Sequence, residues 1–121
     1  MPKHPGDYIF EIADVEYATN VSRARINRWR ALGIIPGGEN GLVTPTQVAG
    51  KWWYRENAVP WVYIAGQIKG FSTEEQLKEV VDLALTCGKH DIEATMSLLQ
   101  KLLEASDTVE DMIRRLLRRK C

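Results

Sequence analysis

Apolar positions recur along this chain mostly at the three- and four-residue steps of an α-helix. Turn-forming residues interrupt the pattern and mark off the elements. Ile12, Val15 and Ala18 fall on one face and predict a first helix over residues 13–19. Asn20 then stands where a tight turn needs a residue that tolerates the left-handed region. Ser22 is a fitting N-cap for a second helix over residues 22–32, with Ile26 and Trp29 on its buried face and Gly33 as its terminator. Ile34-Ile35 and Leu42-Val43 are short strand candidates. They bracket Pro36-Gly37-Gly38-Glu39-Asn40-Gly41, in which Asn-Gly favours a hairpin turn. The Thr44-Pro45-Thr46-Gln47 run has the form of a helix start and predicts a helix to about Asn57, broken before Pro60. A further helix is expected from Trp61 to Lys69, ending at Gly70.

Downstream the periodicity strengthens. Ser72-Thr73-Glu74-Glu75 is a second capping-box pattern, opening a helix with Leu77, Val80, Val81 and Ala84 on one stripe and Gly88 at its end. Asp91 starts another segment bearing Ile92, Met96, Leu99, Leu102 and Leu103. Ser106-Asp107 reads as a break, after which Val109, Met112, Ile113, Leu116 and Leu117 continue an apolar stripe of roughly heptad character. Such a stripe either folds back on its own core or packs on a second subunit. Leu99, Leu102, Val109, Ile113 and Leu116 are the residues expected to carry a dimer contact. Together the elements predict a mainly α fold with a small β-hairpin, divided into a domain over residues 8–86 and a helical tail over 87–121.

The chain has 121 residues and a net charge of zero, but the charge is distributed in blocks. Residues 1–20 carry −3, residues 21–69 carry +5, residues 70–113 carry −7 and residues 114–120 carry +5. Alternating blocks of this kind predict one surface for a polyanion and another kept away from it. The N-terminus lacks the pattern of a secretory signal, and the apolar run Trp61–Ile64 is too short to span a bilayer. With only Cys87 and Cys121, no disulfide framework is expected, and the reading is a cytoplasmic protein with reduced thiols. Cys87-x-x-His90 with Cys121 at the chain end is a poor zinc ligand set, and no metal or cofactor is expected. No phosphate-binding glycine loop, nucleophile elbow or zinc-protease helix is present, so the chain does not read as an enzyme.

The second predicted helix holds the chemistry. Arg23, Arg25, Arg28 and Arg30 fall within eight residues of it. At 100° per residue, Ala24, Asn27 and Arg28 point away from Ile26 and Trp29, with Arg25 on the flank and Arg30 nearer the core. Arginine suits a guanine edge and asparagine an adenine edge in the major groove. Were all four arginines on phosphates, log K would fall with log salt at a slope near −3.6, about −0.9 per contact. Lys51 and Arg55, on the helix predicted next, extend the basic surface. Trp52, Trp53, Tyr54, Trp61 and Tyr63 are expected to serve packing rather than base stacking.

In order, Val21-Ser22, Gly33-Ile34-Ile35-Pro36, Asn40-Gly41 and Gly70-Phe71-Ser72-Thr73-Glu74-Glu75 resemble the MerR family of bacterial transcription regulators. The likeness covers about residues 10–85. It implies a winged helix-turn-helix domain that binds double-stranded DNA as a homodimer on a two-fold symmetric site, with no membrane partner. The helix at 22–32 would enter the major groove and the wing at 36–43 would meet the backbone. Ser22, Arg23, Arg25, Asn27, Arg28, Arg30, Asn40, Gly41, Lys51 and Arg55 are the candidate DNA contacts. Residues 49–60 look like an insertion relative to that family and faintly resemble the lambda-phage terminase small subunit, another winged-helix DNA binder. The alternatives are therefore an architectural or phage-type DNA-binding role, and a protein–protein adaptor built on the same fold.

Overall fold

The computed structural model describes residues 8–36 and 46–119, which divide into two compact units at residues 63 and 64, within a helix. The expected boundary at 86–87 instead falls inside the second unit. Among the described residues the fold is mainly helical, with six helices and one three-stranded antiparallel sheet.

The first unit opens with strand β1 (Tyr8–Glu11), which runs directly into helix α1 (Ile12–Thr19). The backbone N–H of Glu11 donates to Asp14 Oδ2 at 2.9 Å, which fixes the start of α1. Val15 and Thr19 form its buried face, whereas Ala18, expected there, is exposed. Thr19 tolerates burial because its hydroxyl donates to Val15 O at 2.6 Å and accepts from the Val21 N–H. Asn20 adopts the left-handed conformation at φ 59°, as its sequence position predicts, and the chain turns into helix α2 (Arg23–Leu32).

Both ends of α2 are built as the sequence indicates. Ser22 Oγ accepts from the Arg25 N–H at 3.3 Å, and Gly33 closes the helix at φ 82°. Ile26 and Trp29 are buried. Ile34 and Ile35 follow as buried residues but form no strand. Their N–H groups both donate to Trp29 O, a carbonyl of the last turn that the Gly33 N–H also reaches.

The largest departure from expectation lies in residues 46–57. The helix predicted from Thr44 does not exist over these residues. Strand β2 (Thr46–Val48) and strand β3 (Lys51–Arg55) form a hairpin instead, with Val48 opposite Lys51 and Thr46 opposite Trp53. Its turn is Ala49-Gly50, with φ 53° and 79°, the doubly positive pair of a two-residue hairpin turn. β3 lies between β1 and β2, with Phe10 opposite Tyr54. Successive strand residues point to opposite faces, and consecutive Trp53 and Tyr54 are both buried, so β3 is covered on both faces there. The aromatic content of Lys51–Arg55 suits a strand, and this tertiary pairing outweighs the local helix-start pattern. The proposed turn at Asn40-Gly41 and the strand at Leu42-Val43 lie outside the described residues.

Helix α3 (Ala58–Gln67) begins before Pro60 rather than after it. Pro60 occupies the first turn, where a backbone N–H would have no intrahelical acceptor and its loss costs nothing. Trp61 is buried and donates from Nε1 to Ile34 O at 2.9 Å, tying the α2 exit to α3. Trp53, Tyr54 and Trp61 thus serve packing, while Tyr63 is exposed.

The second unit contains helices α4 (Glu74–Cys87), α5 (Ile92–Ala105) and α6 (Val109–Arg118). The α4 stripe of Leu77, Val80, Val81 and Ala84 is buried as predicted, joined by Leu85. Thr73 stands at its N-cap, but the end is closed by Gln76 Oε1 accepting from the Ser72 N–H at 2.6 Å. Asp91 caps α5 and Thr108 caps α6, each accepting from an N–H three residues on.

The stripe assigned to dimerisation lies largely in the interior of the second unit. Leu99, Leu102, Val109 and Leu116 are core residues of this chain, with Ile113 half-buried. The break at Ser106 folds α6 back, so α4, α5 and α6 bury the stripe among themselves. Cys87, expected as a reduced thiol, is disulfide-bonded. Among the described residues, no helix is long and apolar enough to cross a membrane.

Candidate nucleic-acid interface

Burying Ile26 and Trp29 fixes the rotation of α2 and thereby its outward face. Arg23, Ala24, Arg25, Asn27 and Arg28 are all exposed. With Ser22 at the cap, five of the ten candidate contacts (Ser22, Arg23, Arg25, Asn27 and Arg28) are exposed on α2 and its N-cap. The Arg25 guanidinium lies 5.9 Å from the centroid of the Trp29 ring, one turn further along the helix.

Two of the cations are held by acids of the first twenty residues. Glu16 Oε2 accepts from the backbone N–H of Arg23 at 2.7 Å, and Glu16 Oε1 pairs with the Arg23 guanidinium at 3.4 Å. A carboxylate at this point also faces the positive end of the α2 dipole. Lys51, on β3 rather than on a helix, pairs with Glu11 at 3.2 Å and sits 6.0 Å from the Trp53 ring.

Arg30 does not belong to this surface. Its guanidinium lies 4.0 Å from the centroid of Trp52, a close cation–π stack that joins α2 to the hairpin. It also lies beside buried Tyr54. Burial pushes the Tyr54 hydroxyl above its ordinary pKa of 10.0, and the neighbouring Arg30 charge opposes that shift. Arg55 is half-buried on β3, opposite Tyr8, and is likewise not a helix residue. Asn40 and Gly41 lie outside the described residues.

No family model, curated protein or solved structure matches the chain. The reading of this surface therefore rests on its own geometry. That geometry includes three side chains not singled out as partners from the sequence: Glu11, Glu16 and Trp52. Glu16 and Arg23 are seven residues apart across a turn, a separation with meaning only once α1 and α2 are known to pack closely. Trp52 is recognisable as a partner for Arg30 only once residues 51–55 are a strand.

Chemically, the outward face of α2 offers guanidinium forks and one carboxamide, with no bulky apolar side chain among them. Guanidinium groups bind phosphate or a guanine edge through paired N–H donors, and a carboxamide supplies one donor and one acceptor to an adenine edge.

Proposed function

We propose that the first unit is a winged helix-turn-helix module that binds double-stranded DNA, with α2 in the major groove and the β2–β3 hairpin as the wing. The observation that carries this reading is the exposed surface of α2, where Asn27 and Arg28 face away from the buried side and Arg23 and Arg25 flank them on a helix capped at both ends. The tight α1–α2 turn and the antiparallel hairpin that follows support it. In this reading the wing is residues 46–55, not 36–43. Arg30 and Trp52 brace the wing against the recognition helix instead of touching DNA. The resemblance to MerR regulators supports transcription control as the role, in a dimer that forms through a surface other than the interior stripe of α5 and α6.

The test is selection of genomic fragments by the purified chain, followed by titration of the recovered site. Enrichment of a short inverted repeat is expected. Arg28→Ala should then weaken specific binding by about 1–3 kcal/mol. No enrichment over bare resin at low salt would overturn the proposal, and an unchanged isotherm for Arg28→Ala would remove that residue from readout. Clustered direct repeats would favour the architectural role.

A further inference from the structure

The α5 and α6 helices line a cleft of about 360 Å³ in the second unit. Its lining falls into two chemistries. Leu98, Leu102 and Ala105 form an apolar floor, while Lys101, Arg115, Arg118 and Arg119 form a cationic rim. Leu98 and Leu102 are buried, and all four cations are exposed.

The rim is not fully neutralised. Arg115 Nε donates to Asp111 Oδ2 at 2.9 Å, but Lys101, Arg118 and Arg119 have no ion-pair partner among the described residues. Basic residues in the last turn of α6 also answer the negative end of its dipole, which accounts for Arg118 by itself. That explanation does not reach Lys101. It lies on α5, outside the last turn, and faces the same cleft. Two helices thus direct like charges to one apolar depression.

We propose that this cleft binds a small anionic amphiphile, with a carboxylate or phosphate monoester head on a short alkyl or aryl body. A plain polyanion would use the rim and leave the floor wet. A neutral apolar ligand would use the floor and leave the cations uncompensated. A ligand with both parts satisfies both, through charge-assisted guanidinium hydrogen bonds and removal of apolar surface from water. The volume lies at the small end of ligand sites, about 300–1,000 Å³. At about 30 Å³ per water-sized group it holds about a dozen non-hydrogen atoms. A short chain fits and a full lipid tail does not.

The test uses the full chain with four probes: octanoate, octyl phosphate, inorganic phosphate and octyltrimethylammonium. Calorimetry and methyl resonances of Leu98 and Leu102 are the readouts. The two octyl anions should bind at least tenfold more tightly than inorganic phosphate and shift both leucines, and their relative affinity identifies the preferred head. The octyl cation should not bind. Arg118→Gln with Arg119→Gln should weaken the octyl anions at least tenfold with an unchanged circular dichroism spectrum. Should that double variant lose structure, Lys101→Gln on the other helix gives the same comparison. Equal affinity for phosphate and octyl phosphate, binding of the octyl cation, or charge variants that bind as tightly as the parent would each overturn the proposal.

Discussion

Leu99→Ala separates the two possible fates of the C-terminal apolar stripe. Leu99 is 1% exposed, inside a unit formed by α4, α5 and α6. The substitution removes three carbons from a site with no access to water. At about 0.8 kcal/mol per buried methylene the transfer loss alone is about 2.4 kcal/mol. The cavity left behind raises this, and buried Leu→Ala changes cost about 2–5 kcal/mol in all. For a unit of this size each kcal/mol lowers the midpoint by about 4–8 °C, so a fall of at least about 10 °C is expected. Leu117, next to buried Leu116 on α6 but 62% exposed, is the matched control. Leu117→Ala should change stability by no more than about 0.5 kcal/mol.

The assay is thermal and urea unfolding of both variants and the parent across a hundredfold range of protein concentration. An intramolecular core gives midpoints independent of concentration. A dimer seam ties folding to association, and its midpoint climbs with concentration. A Leu99→Ala cost under about 1 kcal/mol, or parent midpoints that rise with concentration, would refute the placement of the stripe in the core.

Two further substitutions address the hairpin and the α6 ion pair. Ala49 holds φ 53° at an exposed hairpin turn, a conformation that costs a non-glycine residue about 1–2 kcal/mol, so Ala49→Asn should raise stability by about 0.5–1 kcal/mol in urea unfolding; a loss would contradict the turn geometry. The Arg115 hydrogen bond holds the Asp111 carboxyl below its ordinary pKa of 3.8. A depressed folded pKa means the pair's contribution is present above pH 3.8 and is lost as pH falls through the folded value. Asp111→Asn should therefore flatten the acid limb of the stability curve, and parallel acid limbs for variant and parent would count against the pair.

The helices were legible where caps and periodicity agreed. Asn20, Ser22 and Gly33 each play the backbone role that their residue type suits, and Leu77 to Ala84 form the stripe their spacing describes. The hairpin was illegible for a physical reason. Thr44-Pro45-Thr46-Gln47 carries a local helix-start pattern, whereas the strand at Lys51–Arg55 owes its existence to pairing with Tyr8–Glu11, some forty residues earlier. Asn40-Gly41 also offered a stronger local turn motif than Ala49-Gly50, which forms only because two strands hold it. The same non-local pairing hid the role of Arg30. Helical spacing put it near the core, but only a strand brings Trp52 beneath it.

These placements change the electrostatics of the proposed DNA surface. The charge blocks read from the sequence overstate the free cationic field, because Glu11 and Glu16 of the acidic block hold Lys51 and Arg23 of the basic one. Arg30 is removed by its stack on Trp52. With Arg30 excluded, three of the four arginines, Arg23, Arg25 and Arg28, remain candidate phosphate contacts, which lowers the expected salt slope from about −3.6 to about −2.7. Arg23 counts because its pair with Glu16 is exposed and long, and surface pairs of that kind contribute only about 0.2–1 kcal/mol. A DNA phosphate can displace it. Glu16→Gln keeps an acceptor for the Arg23 N–H while removing the competing charge. It should leave the slope unchanged and tighten binding by no more than about fivefold, the equivalent of that pair. Arg30→Ala should likewise leave the slope unchanged while costing about 1–2 kcal/mol of stability through lost stacking and packing. A parent slope near −3.6 that falls by about 0.9 in Arg30→Ala would put Arg30 on the DNA and break the bracing argument. A slope near −1.8 that steepens in Glu16→Gln would mean the acid holds Arg23 against phosphate.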